Sequence, residues 1–334
     1  MSVHESGPVG DQVVAPDPRF VIDPFEPAYS IAARTGVLAE RVAQARAELA
    51  CCRACPHDCE VDRLSGEVGV CKIGRDVLVS SAYAHFGEED CLSGTRGSGT
   101  IFLSGCNLRC VFCQNWEVSQ RPVGTAHTAE QLAALMMRLQ ELGCHNVNLV
   151  TPEHVIPQVV EAIAHAAPLG LSIPIVYNTS GYDSVDALRL LDGLVDVYMP
   201  DFKFWEPATA SALCRAPDYP ERARAAIAEM HRQVGDLHFG TDGLALRGLL
   251  VRHLVMPGQS GEAAAILRWL ASDVSDDTYV NVMAKYRPAG RVGTRDMRGQ
   301  HRFQEIDRPM HPAELWAAYD AGRTAGLWRF DGNR

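Results

Sequence analysis

Cysteine is the residue type whose number and spacing most directly indicate chemistry in this sequence. Nine of the eleven cysteines fall between Cys51 and Cys113, and only Cys144 and Cys214 lie beyond that stretch. In a chain without an export signal, clustered thiols are more often metal ligands than disulfides. Soft thiolates bind zinc, copper or iron–sulfur clusters. The uneven placement therefore predicts metal chemistry.

The most specific motif is a C-x3-C-x2-C run made by Cys106, Cys110 and Cys113. Three thiolates on one short loop can hold three irons of a 4Fe–4S cluster, whereas a ferredoxin supplies four cysteines. The fourth iron then keeps an open position, which catalytic metal sites reserve for a substrate or cofactor. A zinc site, a structural cluster and unligated thiols are the alternative interpretations.

A second motif precedes the first, and Cys52, Cys55, Cys59 and Cys71 give it the spacing C-x2-C-x3-C-x11-C. Four soft ligands fit a closed site that holds either zinc or a second iron–sulfur cluster. Cys51 is the alternative ligand to Cys52, and free surface thiols are the alternative to a metal site. The remaining cysteines are interpreted as unligated, the last two of them as small buried apolar residues: Cys91, Cys144 and Cys214.

The elements that must position these thiols are indicated by an alternation of apolar runs with helical patterns. Six strand-like runs are expected, at 100–104, 146–150, 173–178, 195–200, 249–255 and 279–283. Helices are expected at 30–50, 128–142, 155–166, 184–191, 208–233, 262–271 and 312–325, with Thr128 and Gln131 forming a capping box. Little regular structure is expected in 51–91. The alternation predicts a parallel α/β sheet or barrel.

The string from Ser104 to Gln120, with Phe112 just before the last cysteine, resembles the signature of the radical S-adenosylmethionine (SAM) superfamily. More narrowly, it is similar to iron–sulfur proteins related to pyruvate formate-lyase activating enzyme. Further similar segments are 87–100, 148–153 and 201–203, and the resemblance covers roughly residues 50–290. It implies an α/β fold with a partial (β/α)6 TIM-like barrel and a cysteine-rich N-terminal extension. It also implies a 4Fe–4S cluster and SAM as cofactors, with Phe112 beside them.

The same resemblance assigns cofactor contacts at two strand ends. Glu153 stands where the superfamily has a Gly-Gly-Glu segment, which here reads Thr-Pro-Glu, and it is expected to accept the methionine amino group. The alternative is a solvated acid at a helix start. Asn178, Thr179 and Ser180 are candidates for hydrogen bonds to ribose and carboxylate, with helix capping as the alternative.

Two later strand ends carry further candidates. Asp201 and Lys203 are expected to contact cofactor or substrate, and a surface ion pair is the alternative. Arg252, His253 and the segment 256–258 are expected to flank the adenine, although His253 also fits a satisfied buried histidine.

The activity that the resemblance implies is reductive cleavage of SAM to a 5′-deoxyadenosyl radical that abstracts a hydrogen atom. An external flavodoxin- or ferredoxin-like electron donor is implied as a partner. A glycyl-radical-enzyme activase would act on a protein. The alternatives are a radical SAM enzyme that modifies a small molecule or peptide, and a non-catalytic iron–sulfur redox or metal-binding scaffold.

Charge and hydropathy limit the classes of partner. The net charge is −10, from 31 Lys and Arg against 41 Asp and Glu, which argues against a general nucleic-acid or anionic-membrane binder. No apolar run approaches the roughly 20 residues of a membrane helix. The first residues lack the apolar segment of a signal peptide. A cytoplasmic protein is expected.

The expected organisation is a flexible leader (1–27), a helix with a cysteine-rich metal-binding extension (28–95), a radical SAM barrel core (96–290) and a basic loop with a C-terminal helix (291–334). Residues 284–309 contain seven basic and three acidic side chains. Guanidinium groups pair with carboxylates and phosphates, so this segment predicts an anionic substrate or an acidic partner surface. A solvated loop is the alternative.

Overall fold

Short runs of buried apolar residues form one nine-stranded sheet in the computed structural model, which describes residues 16–121 and 123–332. The strands are β1 (Val77–His85), β2 (Ser98–Leu103), β3 (Thr125–His127), β4 (Val147–Val150), β5 (Ile175–Thr179), β6 (Val197–Pro200), β7 (His238–Phe239), β8 (Ala245–Leu254) and β9 (Tyr279–Met283). The helices are α1 (Ala28–Thr35), α2 (Val37–Ala50), α3 (Asp90–Ser93), α4 (Trp116–Gln120), α5 (Ala129–Glu141), α6 (Ile156–Ala166), α7 (Val185–Arg189), α8 (Pro207–Cys214), α9 (Tyr219–Val234), α10 (Ser260–Trp269) and α11 (Pro312–Ala325).

Six strands pair in parallel, in the order β2, β4, β5, β6, β8 and β9. Parallel neighbours need a crossover connection, and α5, α6, α7, α8 with α9, and α10 lie in the successive connections. The predicted α/β fold, a partial (β/α)6 barrel with a cysteine-rich N-terminal extension, is confirmed. The carboxyl ends of the six strands meet at one edge of the sheet.

Antiparallel strands extend this sheet, and one of them corrects the sequence-based prediction. Little regular structure was expected in 51–91, yet β1 pairs with β2 and β3. The run Val77–His85 contains Ser80, Ser81 and Ala82, so it lacks the apolar alternation that marks a strand in sequence. A register shift between Val79 and Ser81 breaks the alternation further.

Successive residues of the parallel strands point into two separate cores. Ile175, Tyr177 and Leu249 belong to the larger core that includes buried residues of the helices. Val176 and Leu250 belong to a smaller core, which also contains Val197, Met199, Leu237 and Phe239. Because side chains alternate along a strand, residues two positions further on share the face of the smaller core. Asn178 and Arg252 occupy those positions, so a polar layer follows the apolar layer toward the carboxyl edge.

Capping and glycine conformations set the helix ends. Helix α5 begins after Thr128, whose side chain forms the predicted capping box with Gln131. The single helix expected at 30–50 is instead two, because Gly36 has a left-handed φ of 87° between α1 and α2. The region 208–233 is likewise two helices, and α8 ends before the left-handed Arg215. None of the helices in the described residues is long and apolar enough to cross a membrane.

The N-terminal segment 16–27 contacts the smaller core of the barrel. Residues 1–15 of the expected flexible leader lie outside the described residues. In 16–27, Phe20 is buried, and the Arg329 guanidinium lies 3.6 Å from its ring centroid. Ile22 N donates to Phe239 O at 2.8 Å. These contacts hold Phe20 and Ile22 against the smaller core, so this part of the expected flexible leader is packed on the barrel.

Candidate active site

The loop that carries Cys106, Cys110 and Cys113 leaves the sheet directly after β2, at the carboxyl edge of the parallel strands. Active sites of β/α barrels lie at this edge. Two later segments hold the loop through its backbone: Val111 N donates to Leu213 O at 2.8 Å, and Arg291 N donates to Val111 O at 2.7 Å. The loop is therefore fixed from both sides.

The pKa of each of the three thiols of this loop is raised, with burial among the causes at all three. Burial, followed by the negative charge of Glu153, raises the pKa of Cys106 well above its ordinary value. A hydrogen bond with Cys214 and then burial raise the pKa of Cys110. Burial also raises the pKa of Cys113, whose Sγ lies 3.1 Å from Ser119 Oγ. Such thiols deprotonate readily only when a cation or metal compensates the charge.

Within residues 16–121 and 123–332, no three His, Cys, Asp or Glu side chains converge in a metal-binding arrangement. The donor chemistry of the loop nevertheless fits an iron–sulfur cluster, because three soft thiols share one short segment. Charges on Cys110 and Cys113 both raise the pKa of Cys106, so the three groups lie within electrostatic range of one another. Their assignment as cluster ligands stays a prediction.

Glu153 is fully buried, so the interpretation as a solvated helix-start acid is wrong. Ser180 Oγ donates to Glu153 Oε1 at 2.6 Å, while Oε2 has no hydrogen-bond partner among the residues that the structure describes. Burial, followed by the charge of Asp183, raises the pKa of Glu153 to about 8. A buried carboxyl with one free oxygen is suited to accept a hydrogen bond from a bound ammonium group.

The polar residues at the end of β5 support their neighbours. Asn178 Oδ1 accepts from Arg252 Nη2 at 2.6 Å, and Thr179 Oγ1 donates to Asp183 Oδ2 at 2.6 Å. Neither these residues nor Ser180 caps the following helix, because Ser184 is the N-cap of α7. The capping interpretation is therefore wrong for all three.

Asp201, Lys203 and Arg252 form a buried charge array at the ends of β6 and β8. Lys203 Nζ lies 2.6 Å from Asp201 Oδ2, and Arg252 Nε lies 2.8 Å from Asp201 Oδ1. The side chains are only 11–20% exposed, so the surface ion pair is excluded. Burial opposes ionisation, but the charges of Arg252 and Lys203 outweigh it and lower the pKa of Asp201 to about 2.

Two carboxylates that sequence reasoning did not assign complete this array. Glu88 Oε2 lies 3.5 Å and Glu89 Oε1 lies 3.8 Å from Arg252 Nη1. Asn281 Nδ2 donates to Glu89 Oε1 at 2.8 Å. Burial raises the pKa of Glu88 to about 7. The sequence pointed to these two acids only through segment 87–100, which is one of the segments that resemble the family. Nothing in that segment indicates that Glu88 lies beside Arg252, 164 positions later in the chain.

A cavity of about 40 Å³ joins this array to the cysteine loop, and its lining residues are Phe112, Asp201, Lys203, Leu254, Met256 and Met283. Phe112 is buried and makes an edge contact with Phe204 at a centroid distance of 5.9 Å. His253 is one residue out of phase with Arg252, and its Nδ1 lies 2.8 Å from Phe202 O. His253 is therefore the satisfied buried histidine of the alternative interpretation. In the segment 256–258, the N–H of Gly258 donates a hydrogen bond to Glu314 of α11.

The N-terminal cysteines lie directly behind the loop. Cys52, Cys55 and Cys71 are buried and Cys59 is half-buried, whereas Cys51 is exposed, which favours Cys52 as the ligand. The segment contacts the loop at three places: His57 Nε2 to Asn107 O at 2.7 Å, Arg109 Nη2 to Val70 O at 2.8 Å, and Gly105, where a Cβ would lie 2.8 Å from Cys71 O. With φ at +79°, Gly105 permits this close approach.

Arg63 is 1% exposed and is the largest fully buried side chain. Its Nη1 donates to His154 O at 2.8 Å and its Nη2 to Cys71 Sγ at 3.5 Å, while Nε has no hydrogen-bond partner within 16–121 and 123–332. In the part of the chain that the structure describes, Arg63 forms no ion pair with a carboxylate. The Glu48 carboxyl and the Cys52 thiol lie within electrostatic range of the guanidinium, and Cys71 is the thiol that accepts its hydrogen bond.

Two comparisons of the sequence with known proteins found similarity. The sequence model of the radical SAM superfamily matches residues 100–270. An uncharacterized protein of Methanocaldococcus jannaschii is 30% identical over 273 residues, which are 79% of this chain and 75% of that protein.

Solved structures are similar at lower identity. SuiB of Streptococcus suis bound to S-adenosylmethionine has a TM-score of 0.43 and 12% identity, covering 65% of this chain and 44% of SuiB. The radical S-adenosylmethionine methyltransferase TsrM of Kitasatospora setae, with cobalamin and a 4Fe–4S cluster bound, has a TM-score of 0.40 and 16% identity, covering 56% of this chain and 34% of TsrM. The chain thus spans less than half the length of either solved chain.

The buried Glu153 predicts a pH dependence of stability in the cluster-free protein. Its folded-state pKa of about 8 exceeds the ordinary 4.5, so its contribution to stability is full below about pH 4.5 and is lost as pH rises through about 8. We expect Glu153→Gln to remove about 1–3 kcal/mol of the fall in unfolding free energy between about pH 5 and about pH 8.5. Urea titrations at both pH values measure the unfolding free energy. The exposed Glu141→Gln is the control and keeps the wild-type profile; a wild-type profile in Glu153→Gln contradicts the prediction.

Proposed function

Because the chain belongs to the radical SAM superfamily, we propose that Cys106, Cys110 and Cys113 bind a 4Fe–4S cluster in an enzyme that acts on an acidic protein partner. The observation that carries the proposal is a loop with three thiols at the carboxyl edge of six parallel strands, beside a buried charge array. When bound, the cluster and SAM supply one-electron cleavage of the sulfonium and hydrogen-atom abstraction.

The residues of the chain bind and orient the cofactor and exclude water. The free Oε2 of Glu153 would accept a hydrogen bond from the ammonium group of SAM, and Ser180 fixes the carboxyl through Oε1. Lys203 and Arg252 offer cations for its carboxylate, and Asp201 and Asn178 hold them in place. Phe112 lines the cavity between these groups and the loop. These residues would hold a charged cofactor at a site from which bulk water is excluded.

Residues 284–309 are proposed to bind the partner at the mouth of the barrel. The segment touches the cysteine loop: Gln114 Nε2 donates to Lys285 O at 3.2 Å, and the Arg291 guanidinium lies 5.5 Å from the Trp116 ring centroid. Among its basic residues, Arg308 is the one with an ion pair in the described ranges, to Glu314 at 2.8 Å. Met297 is fully exposed on the same segment. Unpaired cations around an exposed apolar side chain suit an acidic protein surface.

Activation of a glycyl-radical enzyme is the form of this activity that we propose, since the segment beside the loop offers a docking surface for a protein. An external flavodoxin- or ferredoxin-like donor would supply the electron. A small-molecule or peptide substrate remains the rival, distinguished by turnover without any protein partner.

A second metal site at Cys52, Cys55, Cys59 and Cys71 completes the proposal. A buried guanidinium that makes no direct ion pair is costly, and although the Glu48 carboxyl lies within electrostatic range, a metal-bound thiolate at Cys71 would compensate the charge of Arg63 at hydrogen-bond distance. The site would hold zinc or an iron–sulfur cluster. Because the segment contacts Gly105 and the Asn107 carbonyl, which lie on either side of Cys106, the metal would also stiffen the cysteine loop.

Replacing Cys106, Cys110 or Cys113 by Ala tests the cluster assignment. Each replacement removes one of only three ligands, so we expect it to abolish formation of 5′-deoxyadenosine after anaerobic reconstitution with iron and sulfide and reduction by dithionite. Cys144→Ala, a buried cysteine outside the site, is the control and keeps the activity. Cofactor cleavage by the triple variant would refute the assignment, and a wild type that never cleaves SAM would favour the scaffold.

The N-terminal site is tested by metal analysis of anaerobically purified protein. Cys55→Ala and Cys71→Ala are expected to lower the metal content per chain and the melting temperature, while the cluster of the other loop still assembles. Arg63→Met should weaken metal retention during dialysis against a chelator, because the thiolates lose their counter-charge. Equal metal stoichiometry in wild type and in a variant lacking Cys52, Cys55, Cys59 and Cys71 would contradict the site.

Charge reversal tests the docking segment. We expect Arg291→Glu with Arg295→Glu to leave cofactor cleavage intact and to weaken binding of fluorescent poly-glutamate at least about tenfold, since two favourable ion contacts become repulsive. Fluorescence anisotropy measures the affinity at low and high salt. The control is Arg138→Glu with Arg189→Glu, two exposed arginines on α5 and α7. Equal affinities in both double variants would show that the segment is only a solvated loop.

A further inference from the structure

Cys214 lies against a ligand of the proposed cluster, although it belongs to neither cysteine motif. Its Sγ is 3.3 Å from Cys110 Sγ, and both residues are buried. Cys214 is the last residue of α8, 104 positions along the chain from Cys110. Sequence spacing gave no signal of this contact, because it depends on how α8 packs against the loop.

Backbone contacts fix the position of Cys214. Leu213 O accepts from Val111 N at 2.8 Å, and Cys214 O accepts from Arg109 N at 3.4 Å. The residues on both sides of Cys110 are therefore bonded to the end of α8. Arg215 ends the helix in the left-handed conformation, with a φ of 60°. Backbone hydrogen bonds of the fold therefore hold Cys214 beside Cys110.

The direction of the hydrogen bond follows from the proposed function. A cysteine that binds iron is a thiolate and has no proton to donate. Cys110 can then only accept, so the S–H of Cys214 must donate. Hydrogen bonds to the sulfur atoms of a cluster are one of the factors that set its reduction potential. They raise it because they stabilise the reduced cluster, which carries more negative charge.

We propose that Cys214 is a positioning residue that donates a hydrogen bond to Cys110 and raises the reduction potential of the cluster. The inference rests on the proposed function, in which Cys110 is a ligand. A higher potential eases reduction of the cluster by an external donor. Burial strengthens the effect, because the bond is shielded from water.

The test is an EPR-monitored redox titration of the reconstituted holoprotein under reducing, anaerobic conditions. Cys214→Ala removes the donor, and Cys214→Ser keeps an O–H donor of similar size. We expect the Ala variant to show an about tenfold lower ratio of reduced to oxidised cluster at a given potential, which is 59 mV for a one-electron couple. The Ser variant should stay near wild type, and Cys144→Ala, a buried thiol elsewhere, should be unchanged.

Three results would overturn the inference. One is an unaltered potential in Cys214→Ala, and another is an equal shift in the Ala and Ser variants. The third is a wild-type cluster that does not respond to SAM, together with a Cys214→Ala cluster that does, which would make Cys214 a fourth ligand. If the Ala variant fails to fold, Cys214→Val supplies a donor-free side chain that fills the space.

Failure of the proposed function is recognised separately. If Cys110→Ala still assembles a cluster that responds to SAM, Cys110 is not a ligand, and the proposed function is wrong. If Cys110→Ala loses the cluster while the Cys214 variants keep wild-type potentials, only the role of Cys214 is refuted.

Discussion

The parallel pairing of six strands is the constraint on which the candidate site depends. It brings the carboxyl ends of β2, β4, β5, β6, β8 and β9 to one edge, where the cysteine loop, Glu153 and the charge array lie together. The smaller core, with Val176, Val197 and Leu250, fills the barrel on the side of this edge that faces the amino ends of the strands. A polar layer can occupy the interior because those apolar residues already provide a core on the same face.

Charge balance is the second requirement of this interior. Arg252 contacts Asp201, Asn178 and the acids Glu88 and Glu89, and Lys203 shares Asp201. A buried cation without such partners would be strongly destabilising. The same reasoning applies behind the loop, where Arg63 faces Cys71. The loop is therefore bordered by cations that favour anionic groups: carboxylates on one side and thiolates on the other.

Local patterns in the sequence predicted the parallel strands and the capping box, because each depends on neighbours along the chain. The same patterns missed β1, since Ser80 and Ser81 carry no apolar alternation and the strand depends on its pairing with β2. The three-cysteine loop and Glu153 could be named from spacing and resemblance. The contacts of Arg252 with Glu89 and of Cys110 with Cys214 could not be named, because they join residues more than 100 positions apart through tertiary packing.

Mössbauer spectroscopy tests the central claim, that three cysteines leave one iron open for SAM. The protein would be the variant lacking Cys52, Cys55, Cys59 and Cys71, reconstituted with ⁵⁷Fe so that only the cluster of the loop contributes. We expect SAM to change the spectrum of one iron in four and to leave the other three as they were. Four irons that do not respond to SAM would contradict it.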